Sequence, residues 1–236
     1  MPTIDPDALA GSLRRLRDID VASDLQGRLD DVVEQVREIF SSDGAGLMFL
    51  DDQSALRYAT ASDEGARLLE QAQEDLGHGP CVSSLVENTL VATVDVQADD
   101  RWPALARTME GSRVHAVLGI PVRLGGTALG SLNVYRSSPH PWDDDEIEAL
   151  TAFTHVVEAL VATALLAEHR GTLADQLQSA LDSRVVVERA VGFLMARHEL
   201  DAVDAFDRLR RAARAERIRI ADLAGDVLSG RTLPTN

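Results

Sequence analysis

The sequence predicts two folded modules: an α+β domain with an antiparallel sheet flanked by helices, and an all-α bundle of three helices joined to it by a long connecting helix. Two patterns carry this prediction. Strand-like apolar runs alternate with helical patterns over residues 20–170, whereas helical patterns alone fill residues 172–230. The distribution of charge separates the same two segments.

Charge is divided unevenly along the 236 residues. The net charge of −16 is carried by the first 171 residues, whereas residues 172–236 contain ten arginines and ten acidic residues and are neutral. All basic residues are arginine, and six of them lie between Arg208 and Arg219, where Glu216 is the only acid. Such asymmetry predicts modules with different partners. The arginine-rich stretch indicates either a solvated helix face or a surface for an anionic partner.

The first module shows a helix–strands–helix order. Its predicted elements are a helix over residues 23–40 with a capping box at its start, strands in GAGLMFLDD and ALRYATASD, a helix over residues 64–74, and a strand in LVATVDV. Two further apolar runs, in HAVLGIPVRLGGTALGSLNVYRS, meet at Gly125 and Gly126. Paired glycines supply the positive φ angles of a tight hairpin turn, so these runs predict an antiparallel hairpin.

Few residues of the first module point to chemistry. The single cysteine, Cys81, excludes an internal disulfide, and its proximity to His78 suggests a nucleophile and a base. A lone cysteine is more often a buried small hydrophobe, so we predict no enzyme activity. Redox or ligand sensing by Cys81 stays open, because a helix N-terminus can lower a thiol pKa. The acidic run from Asp143 to Glu146 predicts a helix cap rather than a metal site, and no cofactor is predicted.

Three stretches of the first module carry a family resemblance. They are GHGPC at residues 77–81, VDVQADDRWP at 94–103, and LGIPVRLGGTALGSLNVYRSSPHPWDDDEIEAL at 118–150. Together they resemble the GAF sensor domain, of the kind common in actinobacterial regulators, over residues 20–170. The resemblance implies one sheet flanked by helices and a possible small-molecule effector, but it does not identify a ligand, because GAF domains bind varied molecules.

An apolar stripe with a seven-residue period links the two modules. It consists of Leu166, Leu173, Ala180, Val187 and Leu194, broadened by Leu177 and Leu181. Such a stripe predicts a connecting coiled-coil helix over residues 143–182 that pairs with a second copy in a parallel homodimer. The alternative is an amphipathic helix packed on its own domain, and Gly171 could split the helix.

The second module, residues 172–230, reads as three helices followed by a tail over 231–236. The first runs to about His198, Asp201 is a plausible cap for the second, and an apolar face from Ile220 to Val227 marks the third. The stretch SRVVVERAVGFLMARHELDAVDAFDRLRRAARAERIRIADLAGDVL, at residues 183–228, resembles the ANTAR domain. That family is a three-helix RNA-binding module of bacterial transcription antitermination regulators.

The ANTAR resemblance implies a dimer that binds RNA hairpins near terminators under control of the GAF sensor. The candidate RNA-binding residues are Arg184, Arg189, Arg208, Arg210, Arg211, Arg214, Arg217 and Arg219. Two positions depart from the family pattern: Val191 replaces a lysine, and Ile218 replaces a polar or basic residue. Loss of a cation predicts weaker RNA binding with a smaller salt dependence.

Other classes of partner are less well supported. No secretion signal is visible, and the apolar run at 156–167 is shorter than the roughly 20 residues that span a bilayer, so we expect a cytoplasmic protein without membrane contact. The sequence shows no convincing helix-turn-helix motif, so we do not expect DNA binding. The remaining alternative is a ligand- or redox-sensing signalling protein whose C-terminal bundle contacts other proteins. Residues 1–19 form a separate segment that could be disordered.

Overall fold

The first domain is built on a five-stranded antiparallel sheet in a computed structural model that describes residues 4–17, 25–50, 56–166 and 172–230. The strands are β1 (Gly44–Leu50), β2 (Leu56–Ala61), β3 (Val91–Thr93), β4 (Ala116–Leu124) and β5 (Thr127–Arg136). They lie in the order β2-β1-β5-β4-β3, and every neighbouring pair is antiparallel. The predicted antiparallel sheet is confirmed, although β3 is shorter than the run LVATVDV that predicted it.

The hairpin between β4 and β5 forms as predicted. Gly125 and Gly126 have φ angles of 59° and 87°, and Leu124 pairs with Thr127 across the turn. Both central residues of this turn need positive φ, which glycine adopts without steric cost. The turn therefore aligns the first pairs of the two longest strands, and a register shift between Val122 and Arg123 changes the pairing beyond them.

In the described part of the first domain, helices cover both faces of the sheet. They are α1 (Pro6–Arg17), α2 (Leu25–Phe40), α3 (Glu64–Leu76), α4 (Pro80–Glu87), α5 (Pro103–Met109) and α6 (Asp144–Leu166). Of these, α1 packs outside α2 and α6. Alternate residues of β1 separate the two faces: Leu47 and Phe49 join the core with α1, α2 and α6, whereas Met48 and Leu50 join the core with α3, α4 and α5. The sequence did not predict α5, because a helix this short shows little periodicity.

The N-terminal helix α1 packs on the first of these cores. Ile4 and Leu16 are buried there beside residues of α2. Within the N-terminal segment of residues 1–19, Pro6–Arg17 is therefore helical, and the helix packs on this core. The capping residue Ser23 that we predicted for α2 lies outside the described residues.

A reciprocal capping box starts α6. The backbone N–H of Glu146 donates to Asp143 Oδ1 at 2.9 Å, and the N–H of Asp143 donates to Glu146 Oε2 at 3.1 Å. This confirms the predicted cap. Among the described helices, α6 alone has the length and apolar composition to cross a bilayer, a test that the core helix of a soluble domain also passes. Leu150, Phe153 and Val157 bury one side of α6 in the core.

The C-terminal module is a bundle of α7 (Thr172–His198), α8 (Ala202–Glu216) and α9 (Ile220–Leu228), as the sequence predicted. Its core contains Val187, Leu194, Phe206, Leu209 and Leu223. Asp201 caps α8, since its Oδ1 accepts the backbone N–H of Asp204 at 2.8 Å. The confirmed fold class is therefore an α+β domain followed by a helical bundle.

The first half of α7 ties this bundle to the sheet domain. Leu177 packs in the core under α2 and α6, whereas Ala180 packs in the core under α3 and α4. One turn of α7 thus bridges the two cores, and the rest of α7 carries the bundle to the side of α4.

Residues of the seven-residue stripe make these contacts within one chain. Ala180, Val187 and Leu194 are buried within the chain, whereas Leu166 is 85% exposed. The side chain of Leu173 and residues 167–171 lie outside the described part. Burial of three stripe positions is the packing expected of an amphipathic helix on its own domain, and dimer formation stays a prediction that Leu166 can test.

Replacing Leu177 and Leu166 by aspartate should separate folding from self-association. Leu177→Asp buries a charge and should lower the free energy of unfolding by more than about 3 kcal/mol. Leu166→Asp should change it by less than about 0.5 kcal/mol, because that side chain is exposed. Urea denaturation and light scattering measure the two effects. If the stripe joins two chains, Leu166→Asp should halve the mass of the wild-type particle; unchanged stability of Leu177→Asp would contradict the bridging role of α7.

Candidate nucleic-acid interface

The eight candidate arginines fall into groups of different exposure. Arg184 and Arg210 are only 2% and 7% exposed, and Arg208 is half-buried. The remaining five are exposed on α7, α8 and the turn that follows: Arg189, Arg211, Arg214, Arg217 and Arg219. In this structure Arg184 and Arg210 do not lie with the exposed candidates, because both turn towards the first domain.

Two of the exposed arginines hold carboxylates of their own bundle. Arg211 Nε lies 2.8 Å from Asp207 Oδ2, and the Arg219 guanidinium makes two hydrogen bonds to Asp222, at 2.8 and 2.7 Å. The Arg219 hydrogen bonds lower the pKa of Asp222. The Arg219–Asp222 pair is exposed on both sides and such pairs contribute little, so a phosphate can compete for Arg219. Arg211 binds a buried carboxylate, although its own side chain is exposed.

The turn between α8 and α9 contains Arg217 and Ile218, and Ile218 is one of the two departures from the family pattern. Arg217 ends α8 in the left-handed conformation, with φ at 57°, and its N–H reaches carbonyls of the last helical turn. Ile218 follows, partly exposed, in place of the polar residue that the family favours. Val191, the second departure, is buried in the bundle core, so its apolar side chain replaces a cation with packing.

Arg210 is held at the end of α3. Its Nη2 donates to the carbonyl oxygen of Leu76 at 2.9 Å and to Asp207 Oδ1 at 2.7 Å. Leu76 is the last residue of α3, where helix carbonyls carry partial negative charge. The other terminal nitrogen, Nη1, is buried without a hydrogen-bond partner among the described residues.

Asp207 joins Arg210 to the GHGPC loop of the first domain. Its Oδ2 lies 3.1 Å from His78 Nε2. The hydrogen bond to Asp207 raises the pKa of His78. Burial alone would raise the pKa of Asp207, but hydrogen bonds from His78 and Arg210 outweigh burial and hold that pKa below its ordinary value. We call the group formed by Arg210, Asp207, His78 and the Leu76 carbonyl the Arg210 contact.

Arg184 makes a second contact between the two domains. Its Nη2 donates to the carbonyl oxygen of Leu85, in α4, at 3.3 Å, and its Nε donates to Glu188 Oε1 at 2.9 Å. Burial lowers the pKa of the guanidinium, and Glu188 opposes that effect. Val86, one residue along α4, packs against both the second sheet core and the bundle core.

A cavity of about 370 Å³ lies beside these contacts, at the seam between the domains. Its lining is polar and of mixed charge, and includes His78, Glu87, Arg101, Trp102, Asp201 and Asp204. The Arg101 guanidinium stacks 4.2 Å from the centre of the Trp102 ring. The domains therefore meet over separate points rather than over one packed surface.

A buried polar network lies behind the GHGPC loop. The backbone N–H of Cys81 donates to Gln73 Oε1 at 2.8 Å, and Gln73 Nε2 lies 2.9 Å from Cys81 Sγ. Asn133 Nδ2 donates to Glu70 Oε1 at 2.8 Å, whereas Glu70 Oε2 has no partner among the described residues. Burial raises the pKa of Glu70 to about 8, so this carboxyl is largely neutral at pH 7.

The structure does not assemble a nucleophile with a base at Cys81. His78 faces Asp207, and Cys81 is fully buried. Burial raises the pKa of the Cys81 thiol well above its ordinary value and outweighs the helix N-terminus that was expected to lower it. Among the described residues, no group of three or more His, Cys, Asp or Glu side chains is arranged to hold a metal ion.

The sequence pattern missed the contacts between the domains. A helical wheel places Arg210 beside the apolar face of α8, and only the partner surface decides whether such a residue is exposed or buried. A usable signal was the pair Asp207 and Arg210, because a charged pair three residues apart at the border of an apolar face can be buried together.

Glu70→Gln should remove a pH-dependent destabilisation. In the unfolded chain this carboxyl ionises from about pH 4.5, whereas in the folded chain it stays protonated up to about 8. Stability of the wild type therefore falls as pH rises through this window. The variant should gain on the order of 4 kcal/mol relative to the wild type between pH 5 and pH 8. Urea unfolding at both pH values measures this gain.

The matched control for Glu70→Gln is Glu148→Gln, an exposed residue of α6. It should change stability by the same small amount at both pH values, because that side chain is exposed in both states. An equal effect of the two variants at pH 8 would contradict a buried neutral Glu70.

Cys81 should resist thiol reagents in the folded chain. Its burial and raised pKa leave little thiolate for reaction. A chromogenic disulfide reagent should modify it slowly in buffer and rapidly in urea, whereas a cysteine introduced by Ala215→Cys, at an exposed position of α8, should react rapidly in both. Fast modification of Cys81 in buffer would restore it as a candidate redox sensor.

Comparison with known proteins agrees with this architecture. Residues 24–161 match the GAF domain family, and residues 175–228 match the ANTAR domain family. A formate hydrogenlyase transcriptional activator of Salmonella typhimurium is 23% identical over 163 residues, which is 69% of this chain. The chain spans only 22% of the length of that relative.

Three of the solved structures that share the fold of the first domain illustrate the likeness. The GAF domain of an Acinetobacter phosphoenolpyruvate-protein phosphotransferase superposes with a TM-score of 0.55 at 15% identity, covering 72% of this chain and 100% of that one. The corresponding Coxiella burnetii domain gives 0.54 at 19%, covering 68% and 96%. A free methionine-R-sulfoxide reductase from Neisseria meningitidis gives 0.52 at 17%, covering 68% and 89%.

These matches identify the two modules as a sensor-type domain and a regulatory domain. The GAF match covers more than half of the chain, and the ANTAR match covers nearly all of the C-terminal bundle. The chain therefore belongs to the GAF family and carries a C-terminal ANTAR domain, the domain pair of a regulatory protein.

Proposed function

We propose that this protein is an RNA-binding transcription antitermination regulator, in which the GAF domain is the sensor and the ANTAR domain binds RNA hairpins near terminators. The observation that carries the proposal is the ANTAR match over a folded three-helix bundle on which five of the eight candidate arginines are exposed. A weak relative that is named a transcriptional activator is consistent with a role in transcription.

The chemistry of the exposed arginines suits single-stranded loops. Guanidinium groups bind phosphate through paired N–H donors and stack on unpaired bases, which hairpin loops expose. Arg189 and Arg217 make no ion pair within the described part of the chain, so they need not exchange a carboxylate for a phosphate. The acidic first domain would repel non-specific nucleic acid and leave the bundle as the attractive surface.

The remaining elements of the proposal concern the setting of the protein. We propose a cytoplasmic homodimer, with sensor and reader boundaries at residues 20–170 and 172–230, a possible small-molecule effector in the GAF domain, no catalytic turnover and no DNA partner. A C-terminal bundle that contacts only proteins is the alternative function, because Arg184 and Arg210 already bind protein oxygens here.

Binding of a pool of RNA hairpins with a constant stem and a randomised loop tests the proposal. The wild type should bind this pool more tightly than duplex DNA of the stem sequence. Arg211→Ala, Arg214→Ala and Arg217→Ala should each weaken binding and reduce the salt dependence by roughly one phosphate contact. If one of them reads a loop base, its loss should cost about 1–3 kcal/mol for some loops and little for others.

Arg107→Ala provides a control of equal charge change on the GAF domain, where the side chain is exposed on α5. It should leave hairpin affinity unchanged, and circular dichroism should show that every variant is folded. A folded triple variant of Arg211, Arg214 and Arg217 with wild-type affinity would reject the arginine surface. Failure of the wild type to bind any RNA would favour the protein-contact alternative.

A further inference from the structure

The structure holds two arginines of the candidate RNA surface against the GAF domain. We infer that the Arg210 contact and the Arg184 hydrogen bond to Leu85 together are autoinhibitory, an arrangement that we call the intramolecular stop: carbonyl oxygens of the GAF domain occupy two guanidinium groups that RNA would otherwise bind. This inference rests on the proposed function, and it adds a means by which the sensor controls the same site.

The GAF oxygens resemble the ligands that arginine finds on RNA. Leu76 O is the terminal carbonyl of α3, and Leu85 O lies in the last turn of α4. Carbonyls at helix C-termini carry partial negative charge, and they present it to Arg210 and Arg184, whose side chains are buried at these contacts. RNA phosphate and these carbonyls are therefore alternative partners for the same donors.

The GHGPC loop links the Arg210 contact to the interior of the sensor. A Cβ at Gly77, whose φ is 71°, would lie 1.9 Å from Arg210 Nη2. A Cβ at Gly79 would lie 2.3 Å from the side-chain oxygen of Gln73. The loop thus lies in close contact with Arg210 on one side and with Gln73 on the other, so a displacement of Gln73 acts directly on the loop.

The buried polar network is the part of the sensor through which a signal would reach this loop. Gln73 holds the backbone N–H and the thiol of Cys81, at the start of α4, and α4 in turn carries the Leu85 carbonyl. A rearrangement of this network that moves α4 relative to α3 changes the spacing of the two carbonyls that bind Arg184 and Arg210. The bundle then cannot keep both contacts, and the guanidinium groups keep only the carboxylates of their own helices.

Several features make the Arg210 contact easy to break. Arg210 Nη1 is buried without a partner, which costs free energy as long as the domains stay docked. Asp207 is shared among His78, Arg210 and Arg211, so part of the charge balance persists after separation. The cavity at the seam removes packing that would otherwise hold the two surfaces.

The test uses full-length variants that weaken the docking from the GAF side and leave every arginine in place. Val86→Glu places a charge between the two cores that Val86 joins, and His78→Ala removes a partner of Asp207. Val94→Glu is the matched control, since Val94 is an exposed GAF residue. Hydrogen exchange of α8 reports undocking, and the randomised-loop hairpin pool reports RNA affinity.

Val86→Glu and His78→Ala should speed exchange in α8 and raise hairpin affinity by about tenfold or more, which is about 1.4 kcal/mol. The control should change neither. Adding Arg210→Ala to Val86→Glu should remove part of the gain, because the released guanidinium is then the RNA ligand.

Three outcomes would overturn the inference. Faster exchange in both variants with unchanged hairpin affinity rejects the stop but leaves RNA binding intact. Unchanged exchange in both variants shows that these contacts do not hold the domains together. If the wild type, Val86→Glu and His78→Ala all fail to bind hairpins, the proposed function is rejected, and the intramolecular stop with it.

Discussion

The docking of α8 against the end of α3 through Arg210 is the interaction on which the arrangement of the two domains depends. A guanidinium can be buried only when carboxylate or carbonyl oxygens satisfy most of its donors. Here Asp207 and the Leu76 carbonyl supply those oxygens, and His78 satisfies the remaining oxygen of Asp207. Removal of one of these groups leaves a buried neighbour with one hydrogen bond fewer, because Arg210 bonds both Leu76 and Asp207, and Asp207 also bonds His78. Each member of the contact therefore supports the others.

The helix α7 makes this docking possible. One of its turns packs Leu177 in one core of the sheet domain and Ala180 in the other, which fixes where the rest of the helix points. The bundle is thereby brought to the side of α4 rather than left at the end of a free connector. A sensor domain with a polar buried network and a bundle with exposed arginines then share a boundary, and control of one by the other needs only a small movement at that boundary.

Local signals in the sequence were sufficient to predict most of the fold. Glycine pairs, capping residues and helical periodicity located the hairpin, the start of α6 and the three helices of the bundle, because each depends on residues close in sequence. The seven-residue stripe was ambiguous for a physical reason: Ala180, Val187 and Leu194 satisfy the pattern equally well inside one chain or between two. The burial of Arg210 and Arg184 depends on oxygens more than 90 residues away in the chain, so no local pattern could predict it.

The distance between the two domains in the presence of RNA tests the central claim most directly. Spin labels on cysteines introduced by Arg107→Cys in α5 and Ala215→Cys in α8 report this distance by double electron–electron resonance, and both positions are exposed whereas Cys81 is buried. We predict a single short distance between the two labels without RNA, and a longer, broader distribution of distances once hairpin RNA is bound. A hairpin complex that keeps the short distance unchanged would contradict this claim.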